Sequence, residues 1–149
     1  MDVTRVHILR PPMRPWEYYS YKDRFHALKY EVAVSIKFPK ILWVAGPYKG
    51  AVSDIEIARQ ELLPSMKSCE VMLADKGYIG EPEHLLCPVK GATTDDDVRF
   101  NARHFRVRQL IERTNKRIKH FKCMGYEMNR KCFHIVCKLT NLTFEREPL

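Results

Sequence analysis

The first third of the chain alternates between apolar and polar positions and predicts three strands. Residues 3–9 follow this pattern, and residues 41–45, an apolar stretch between the turn at 39–40 and Gly46-Pro47, predict another short strand. The clearest alternation lies in residues 28–37, where every second side chain is apolar. This period of two predicts a half-buried strand, with one face in the core and the other face, which carries Lys29 and Glu31, in solvent.

A helix is predicted after these strands, because the chain carries a capping box. Ser53 is followed three residues later by Glu56, and these two side chains can satisfy the free backbone N–H groups at a helix start. The apolar spacing that follows extends the helix over residues 54–63, and Pro64 is expected to end it.

The remaining connections predict a loop and two short strands. Residues 10–26 are rich in Pro and Tyr and indicate a loop or hairpin connection. Residues 71–74 form a short, continuously apolar run, which is typical of a strand buried on both faces. A further short strand is predicted over residues 85–89. The order of elements is therefore three strands, a helix, two short strands and then helices.

The last third of the chain predicts a long helix and a final helix over residues 131–145. Thr94 and the three Asp residues after it supply a cap and the negative charge that a helix start favours. Apolar positions then recur at helical spacing and predict the buried face: Val107, Ile111, Thr114, Ile118 and Phe121. A charged stripe lies beside them, rotated by about 100°: Arg108, Glu112, Lys116 and Lys119.

Two interpretations of the single acid in this stripe stay open. Glu112 stands four residues after Arg108, so the two can form a surface ion pair worth a few tenths of a kcal/mol. Alternatively, a lone carboxylate among cations, at the edge of a buried face, is suited to hold a metal ion beside a phosphate backbone.

Composition and charge narrow the classes of protein. The 149 residues suit one domain, the 45% hydrophobic and 30% charged fractions are those of a globular soluble protein, and no apolar run is long enough to cross a membrane. Residues 99–122 hold nine Lys or Arg and one Glu, so their formal charge of +8 equals that of the whole chain. Such a concentrated positive surface indicates a polyanionic partner, most simply nucleic acid, with a solvated basic face as the alternative.

Three acids can converge if the predicted elements pack together. Asp75 follows the strand at 71–74, at the strand end where α/β folds place their ligands, and Asp2 opens the first strand. Together with Glu112 they would form an oxygen site for Mg²⁺ or Mn²⁺. The alternatives are that Asp2 is a disordered terminal residue, that Asp75 caps a turn before Gly77, and that Asp54 takes the second position in the site, although its place beside Ser53 marks it first as a helix-start residue.

The residues also resemble a known family, the DDE-type nuclease domain of PIF/Harbinger-like transposases, which is related to bacterial insertion-sequence transposases. The similarity covers nearly the whole chain. It rests on the following segments in this order: Asp2-x-Thr4 with Arg10-Pro11, Leu28 to Val32, Ile41-x-Trp43-Val44-x-Gly46-Pro47 with Gly50 and Asp54, Ala74 to Gly80, Glu112-x-x-Asn115-x-Arg117-Ile118-Lys119-x-Phe121, and Phe133-x-x-Val136 with Leu139-Thr140-x-Leu142. Arg108, Glu112 and Lys119 also stand at the Arg-x3-Glu-x6-Lys spacing of the bacterial relatives.

This resemblance implies an α/β, RNase H-like fold, in which a mixed five-stranded sheet is flanked by helices. It implies a catalytic triad of Asp2, Asp75 and Glu112 that binds two Mg²⁺ or Mn²⁺ ions, nicks DNA and transfers the freed 3′-hydroxyl to target DNA. The DNA contacts are expected on the long helix, and Arg108 and Lys119 fall at positions that contact phosphate near the cut. With the basic stripe, the predicted DNA-binding residues are Arg108, Arg113, Lys116 and Lys119.

The sequence departs from the family pattern at its start. Family members have a buried stretch of strand before the first Asp, where this sequence has only Met1, and they have an upstream DNA-binding region. We therefore expect residues 1–149 to be one nuclease domain with a truncated first strand, from a fragment or a domesticated derivative. The alternative is a non-catalytic DNA-binding or protein-interaction module. The resemblance is also compatible with a nuclear location, a separate DNA-binding partner protein and a homodimer, and it gives no membrane partner.

Overall fold

The computed structural model describes residues 1–38, 40–121, 123 and 130–146. Along the chain its elements are β1 (Asp2–His7), α1 (Pro15–Tyr18), β2 (Tyr19–Ser20), β3 (Phe25–Val34), β4 (Ile41–Lys49), α2 (Asp54–Ile57), a π-helical turn (Ala58–Leu62), α3 (Leu63–Ser65), β5 (Met72–Leu73), a 3₁₀ turn (Lys76–Tyr78), β6 (Leu85–Leu86), α4 (Asp95–His120) and α5 (Arg130–Arg146). The predicted strands and helices occur in the predicted order, but α1 and β2 lie in the stretch 10–26 that was predicted as a loop or hairpin connection. The fold is mixed α/β.

The sheet is arranged differently from the prediction. In the described part of the chain, β3 is the centre of a four-stranded antiparallel sheet and pairs with β1, β2 and β4. The strands β5 and β6 form a separate parallel pair. The main sheet and this pair meet at Met1, whose amine donates a 2.6 Å hydrogen bond to the Leu73 carbonyl oxygen. The predicted single five-stranded mixed sheet is therefore not confirmed, because no strand ladder joins the two sheets.

The strand β4 runs past the point at which the sequence predicted its end. Its pairing with β3 is interrupted opposite Tyr30 and then resumes, so the strand reaches Lys49. Gly46 makes this possible, with φ at +116° and so little room that an added Cβ would meet the Lys29 carbonyl oxygen at 2.7 Å. A residue without a side chain lets the strand kink there and continue.

The central strand β3 is buried on both faces, which corrects the half-buried strand predicted from its alternation. Tyr30 and Val32 pack with the helices α4 and α5 in one core cluster, while Ala33 on the opposite face packs with the π-helical turn in the other. The polar positions are buried too. Lys29 is paired with Asp54 at 3.0 Å, and Glu31 accepts a 3.1 Å hydrogen bond from the Trp43 indole.

The buried carboxyl of Glu31 is electrostatically perturbed by this arrangement. Burial raises its pKa to about 7, while the hydrogen bond from Trp43 lowers it. Polar side chains can be buried on such a strand when they have a hydrogen-bond or ion-pair partner, or when an ionisable group becomes neutral. The alternating pattern therefore did not reveal that a second helical layer covers the face of β3 that carries Lys29 and Glu31.

The α2 region confirms the predicted capping box. The Ser53 hydroxyl oxygen accepts from the backbone N–H of Glu56, and the Glu56 carboxylate accepts from the backbone N–H of Ser53. The helical segment runs on through the π-helical turn to Ser65, one residue beyond the predicted stop at Pro64. The predicted short strands are shorter than expected, and Val71 is half exposed rather than buried. No helix in the described ranges is long and apolar enough to cross a membrane.

Candidate active site

The long helix α4 presents its apolar stripe to the sheet, as its sequence predicts. Ile111, Thr114 and Ile118 are almost fully buried, with exposed fractions of 2% or less, and Ile111 and Ile118 pack with Val32 of β3. Thr94 caps the helix start, where its hydroxyl oxygen accepts from the backbone N–H of Asp97 at 3.2 Å. With this face fixed, the neighbouring stripe lies at the edge of the sheet.

Asp75 lies directly after β5 and at the start of the 3₁₀ turn. Its Oδ1 accepts a 2.7 Å hydrogen bond from the backbone N–H of Lys76, so the turn-capping alternative is confirmed. The same oxygen also accepts a 3.0 Å bond from Nη1 of Arg108 on α4. The turn itself is tightly packed, since a Cβ on Gly77 would stand 3.0 Å from Oδ2 of Asp54. Asp75 is therefore positioned both by its turn and by the long helix.

Arg108 joins two of the three predicted catalytic acids. Its Nη1 contacts Asp75 at 3.0 Å, and its Nη2 contacts Oε1 of Glu112 at 3.3 Å. Because one planar guanidinium makes both contacts, the two carboxylates lie on neighbouring sides of a single group. The surface ion pair predicted between Arg108 and Glu112 is confirmed, and the structure adds Asp75 to it.

Asp2 is held beside this group by an interaction that the sequence did not predict. Its Oδ2 accepts a 3.2 Å hydrogen bond from Nδ2 of Asn115, which stands three residues after Glu112 on α4. Burial raises the pKa of the Asp2 carboxyl; the backbone N–H of Val3 and the charge of Arg108 lower it, and the charge of Asp75 raises it again. Asp2 is therefore an ordered, partly buried member of the group rather than a disordered terminal residue.

Asn115 is the functional candidate that the sequence analysis missed as a site residue. Its exposed fraction is 8%, and its Oδ1 is buried with no hydrogen-bond partner among the described residues. The available signal was its spacing, because residues three apart on a helix are neighbours and Glu112 was already a candidate. A buried amide oxygen without a partner, beside a carboxylate, is a hard oxygen that a divalent cation could use.

Asp54, the competing acid, is occupied elsewhere. Its two carboxylate oxygens contact Lys29 at 3.0 Å and Arg5 at 3.4 Å, and its side chain is only 15% exposed. Two cations already balance this carboxylate, so in this structure Asp54 joins the start of α2 to the sheet. The sequence marked Asp54 first as a helix-start residue. Its burial beside Lys29 and Arg5 also gives it a structural role.

The predicted DNA-binding residues divide into two groups. Arg113, Lys116 and Lys119 are exposed on α4, whereas the side chain of Arg108 is 21% exposed and is engaged with the acids. Three of the four are thus free to reach a large partner without any rearrangement of the helix. Among these four residues, Arg108 is the one that turns inward to the carboxylates.

The donor set around Arg108 suits a hard divalent cation, although it is not assembled as a metal site. Three carboxylates and an amide oxygen are the ligands that Mg²⁺ and Mn²⁺ prefer. Within the described ranges, however, no three His, Cys, Asp or Glu side chains are grouped closely enough to hold a metal ion. The guanidinium contacts both Asp75 and Glu112, and it would have to leave before these two could share a cation.

Comparisons with known proteins identify the family of the chain. Residues 1–143 match the family model described as DDE superfamily endonuclease. The chain is also 27% identical over 138 residues to a probable transposase for insertion sequence element IS702 from Microchaete diplosiphon. That alignment covers 88% of this chain and 49% of the relative, so the chain spans about half the length of the curated relative. No solved structure shows a significant match. On the match over residues 1–143, the chain belongs to the DDE superfamily endonucleases.

Proposed function

We propose that this chain is a nuclease domain for metal-dependent DNA strand cleavage and strand transfer. The observation that carries the proposal is that Arg108 of α4 contacts Asp75 and Glu112, while Asn115 of the same helix contacts Asp2. The family match supports the reaction class, and the relative's description as a probable transposase supports DNA as the substrate.

The reaction consists of two displacements at phosphorus. In the first, the oxygen of water attacks the phosphodiester, and the bond from phosphorus to the 3′-oxygen breaks, which leaves a 5′-phosphate and a 3′-hydroxyl. In the second, that 3′-hydroxyl loses its proton and attacks a phosphodiester of the target strand, whose own 3′-oxygen leaves and takes up a proton. Bound Mg²⁺ or Mn²⁺, two ions in the reaction class, would activate the attacking oxygen and stabilise the leaving oxygen.

The residues of the chain have distinct tasks in this proposal. Asp2, Asp75 and Glu112 would hold the cation, and the amide oxygen of Asn115 would supply one more oxygen nearby. The turn that Asp75 caps and the core contacts of α4 fix the carboxylates relative to each other, which is the preorganisation that such chemistry needs. Lys116 and Lys119 would hold the DNA backbone next to the acids.

The experiment that tests the proposal is a plasmid-nicking assay. We expect supercoiled DNA to be converted to the nicked form in the presence of Mn²⁺ or Mg²⁺, and to stay intact when a chelator is present. Absence of nicking with either cation, together with retained DNA binding, would overturn the catalytic proposal. It would favour a non-catalytic DNA-binding module built on the same fold.

We further propose that an added strand in a groove beside Met1 would join the main sheet to the β5–β6 pair, as an RNase H-like sheet requires. A groove of about 700 Å³ runs from Met1 between the end of β3 and the strand β5. The groove is lined by residues that include Val34, Ser35, Leu62, Met66, Val71 to Leu73, Val107 and Ile111. A chain continuing β1 backwards would enter this groove, with apolar walls on both faces.

An engineered extension tests this second proposal. Four β-branched apolar residues placed before Met1 are expected to raise the free energy of unfolding by about 2 kcal/mol or more, because burial outweighs the cost of ordering them. A four-residue Gly-Ser extension of the same length is the control and should change little. Urea unfolding of both proteins gives the comparison. Equal stability of the two extended proteins would contradict a strand site in the groove.

Binding of DNA through α4 gives a prediction of its own. The double reversal Lys116→Glu and Lys119→Glu should weaken duplex binding and flatten its salt dependence, since each phosphate contact contributes about 0.9 to the slope of log affinity against log salt. Fluorescence anisotropy at several salt concentrations measures both quantities.

The matched control for this variant is Lys131→Glu with Lys138→Glu. Both residues are exposed on α5, and the change in net charge is the same. If the two double variants lose affinity equally, only overall charge matters. If neither loses affinity, the basic stripe of α4 is not the DNA surface.

A further inference from the structure

The position of the Arg108 side chain has a consequence for how this site would work. Its guanidinium is the cation that contacts both Asp75 and Glu112, and its charge also lowers the pKa of Asp2. Without that charge the three carboxylates would repel one another, because neighbouring carboxylates stay ionised together only when cations lie between them. Arg108 therefore acts in this structure as the counter-ion of the acid group.

The same side chain is free to leave. It is 21% exposed, so a rotation into solvent does not require the core to unpack. Its Nε is buried without a hydrogen-bond partner among the described residues, so this nitrogen adds no hydrogen bond to the two carboxylate contacts. An unpartnered buried donor is unfavourable, and outward rotation removes that cost.

We propose that Arg108 exchanges between the acids and a DNA phosphate, and so couples cation binding to DNA binding. The inference rests on the proposed function, because it needs a cation at Asp75 and Glu112. In the free protein the guanidinium neutralises the acids. When a divalent cation takes over that neutralisation, Arg108 keeps its charge and turns to a phosphate, for which its fork of N–H donors is well suited.

The coupling must operate in both directions. If a cation strengthens DNA binding by releasing Arg108, then DNA strengthens cation binding by the same factor, because the two binding equilibria share one set of states. The exchange would also protect the DNA from a half-assembled site, since the acids would take up the cation most readily where a phosphate is present to receive Arg108.

The first measurement is Mn²⁺ affinity in the absence of DNA, by electron paramagnetic resonance of the free ion. Arg108→Gln should bind Mn²⁺ more tightly than the wild type, by about fivefold, since an ion pair of this exposure no longer competes. Arg106→Gln is the matched control: it removes the same charge from an exposed position on the same helix, outside the predicted DNA-binding residues, and should bind like the wild type. Glu112→Gln should lose most of the binding.

The second measurement is duplex affinity with Ca²⁺ and with a chelator, by fluorescence anisotropy. Ca²⁺ should strengthen binding by the wild type and by Arg106→Gln, and should strengthen binding by Arg108→Gln to a clearly smaller extent. Should Arg108→Gln fail to fold, Arg108→Lys replaces it. A lysine keeps the charge, but its single ammonium group cannot span the two carboxylates as a guanidinium does, so intermediate Mn²⁺ affinity is expected.

The outcomes separate the inference from the proposal on which it rests. Mn²⁺ binding that depends on Glu112 but is equal in Arg108→Gln and Arg106→Gln overturns the exchange and leaves the metal site standing. Equal strengthening by Ca²⁺ in all three proteins overturns the coupling in the same way. Absence of Glu112-dependent Mn²⁺ binding in the wild type overturns the proposed function, and the role of Arg108 with it.

Discussion

Replacement of Asp75 by Asn is expected to reduce metal-dependent nicking by more than about 100-fold, because even residues that only support metal ligands cost 10- to 100-fold when they are changed. Asn keeps the size of the side chain and one oxygen that can accept from the Lys76 N–H, so the turn after β5 should persist. The lost property is the negative charge at the point where the site needs it. The measurement is the initial rate of plasmid nicking in Mn²⁺.

The control for this variant is Asp96→Asn. Asp96 is a fully exposed acid in the first turn of α4, and its contact with Arg99 is 3.9 Å long. The chemical change is the same, but the residue lies outside the acid group, so the nicking rate should not change. Thermal melting of both variants shows whether they are folded. Undiminished nicking by a folded Asp75→Asn protein would remove this residue from the catalytic site.

The largest loss of stability is expected from Phe133→Ala. Phe133 on α5 is fully buried and stacks on Tyr30 of the central strand, with ring centroids 3.9 Å apart and planes within 8° of each other. Truncation removes this contact and leaves a cavity between the helix and the sheet, which costs about 3–5 kcal/mol for a buried aromatic residue. Urea unfolding followed by far-ultraviolet circular dichroism provides the value.

Ile135→Ala, two residues further along α5, is the matched control. Its side chain is 55% exposed, and an exposed substitution is expected to change the free energy of unfolding by about 0.5 kcal/mol or less. Comparable losses in the two variants would mean that α5 is not held to the sheet by this stack. A weakly attached α5 would also leave the face of β3 that contains Tyr30 without its cover.

The acid group illustrates that the residues of a site can be predicted from the sequence, while the contacts that they make in the folded chain cannot. The family pattern pointed to Asp2, Asp75 and Glu112, and in the structure Arg108 contacts Asp75 and Glu112 while Asn115 of the same helix contacts Asp2. The pattern assigned Arg108 to DNA, whereas in the folded chain it contacts Asp75, 33 residues away in sequence. Which of two partners a cation takes depends on the distances among charges, and these exist only after folding.

Asn115 illustrates the same limit at a neutral residue. Its place on the helix followed from periodicity, but its bond to Asp2 spans 113 residues of sequence. A side chain that can both donate and accept gives no local sign of its partner. The free oxygen that makes Asn115 a candidate ligand became visible only when the surrounding atoms were in place.

By itself, the sequence determined the local elements: the capping box at Ser53, the buried face of α4 with Ile111 and Ile118, and the concentration of positive charge on that helix. These features depend on residues a few positions apart, which the chain brings together in any fold that contains the helix. The tertiary structure alone decided that β3 is buried on both faces, that the sheets are separate, and that Arg108 neutralises acids from other elements. Each of these results depends on which surfaces pack against one another, and that is set by long-range burial and by the pairing of charges rather than by local periodicity.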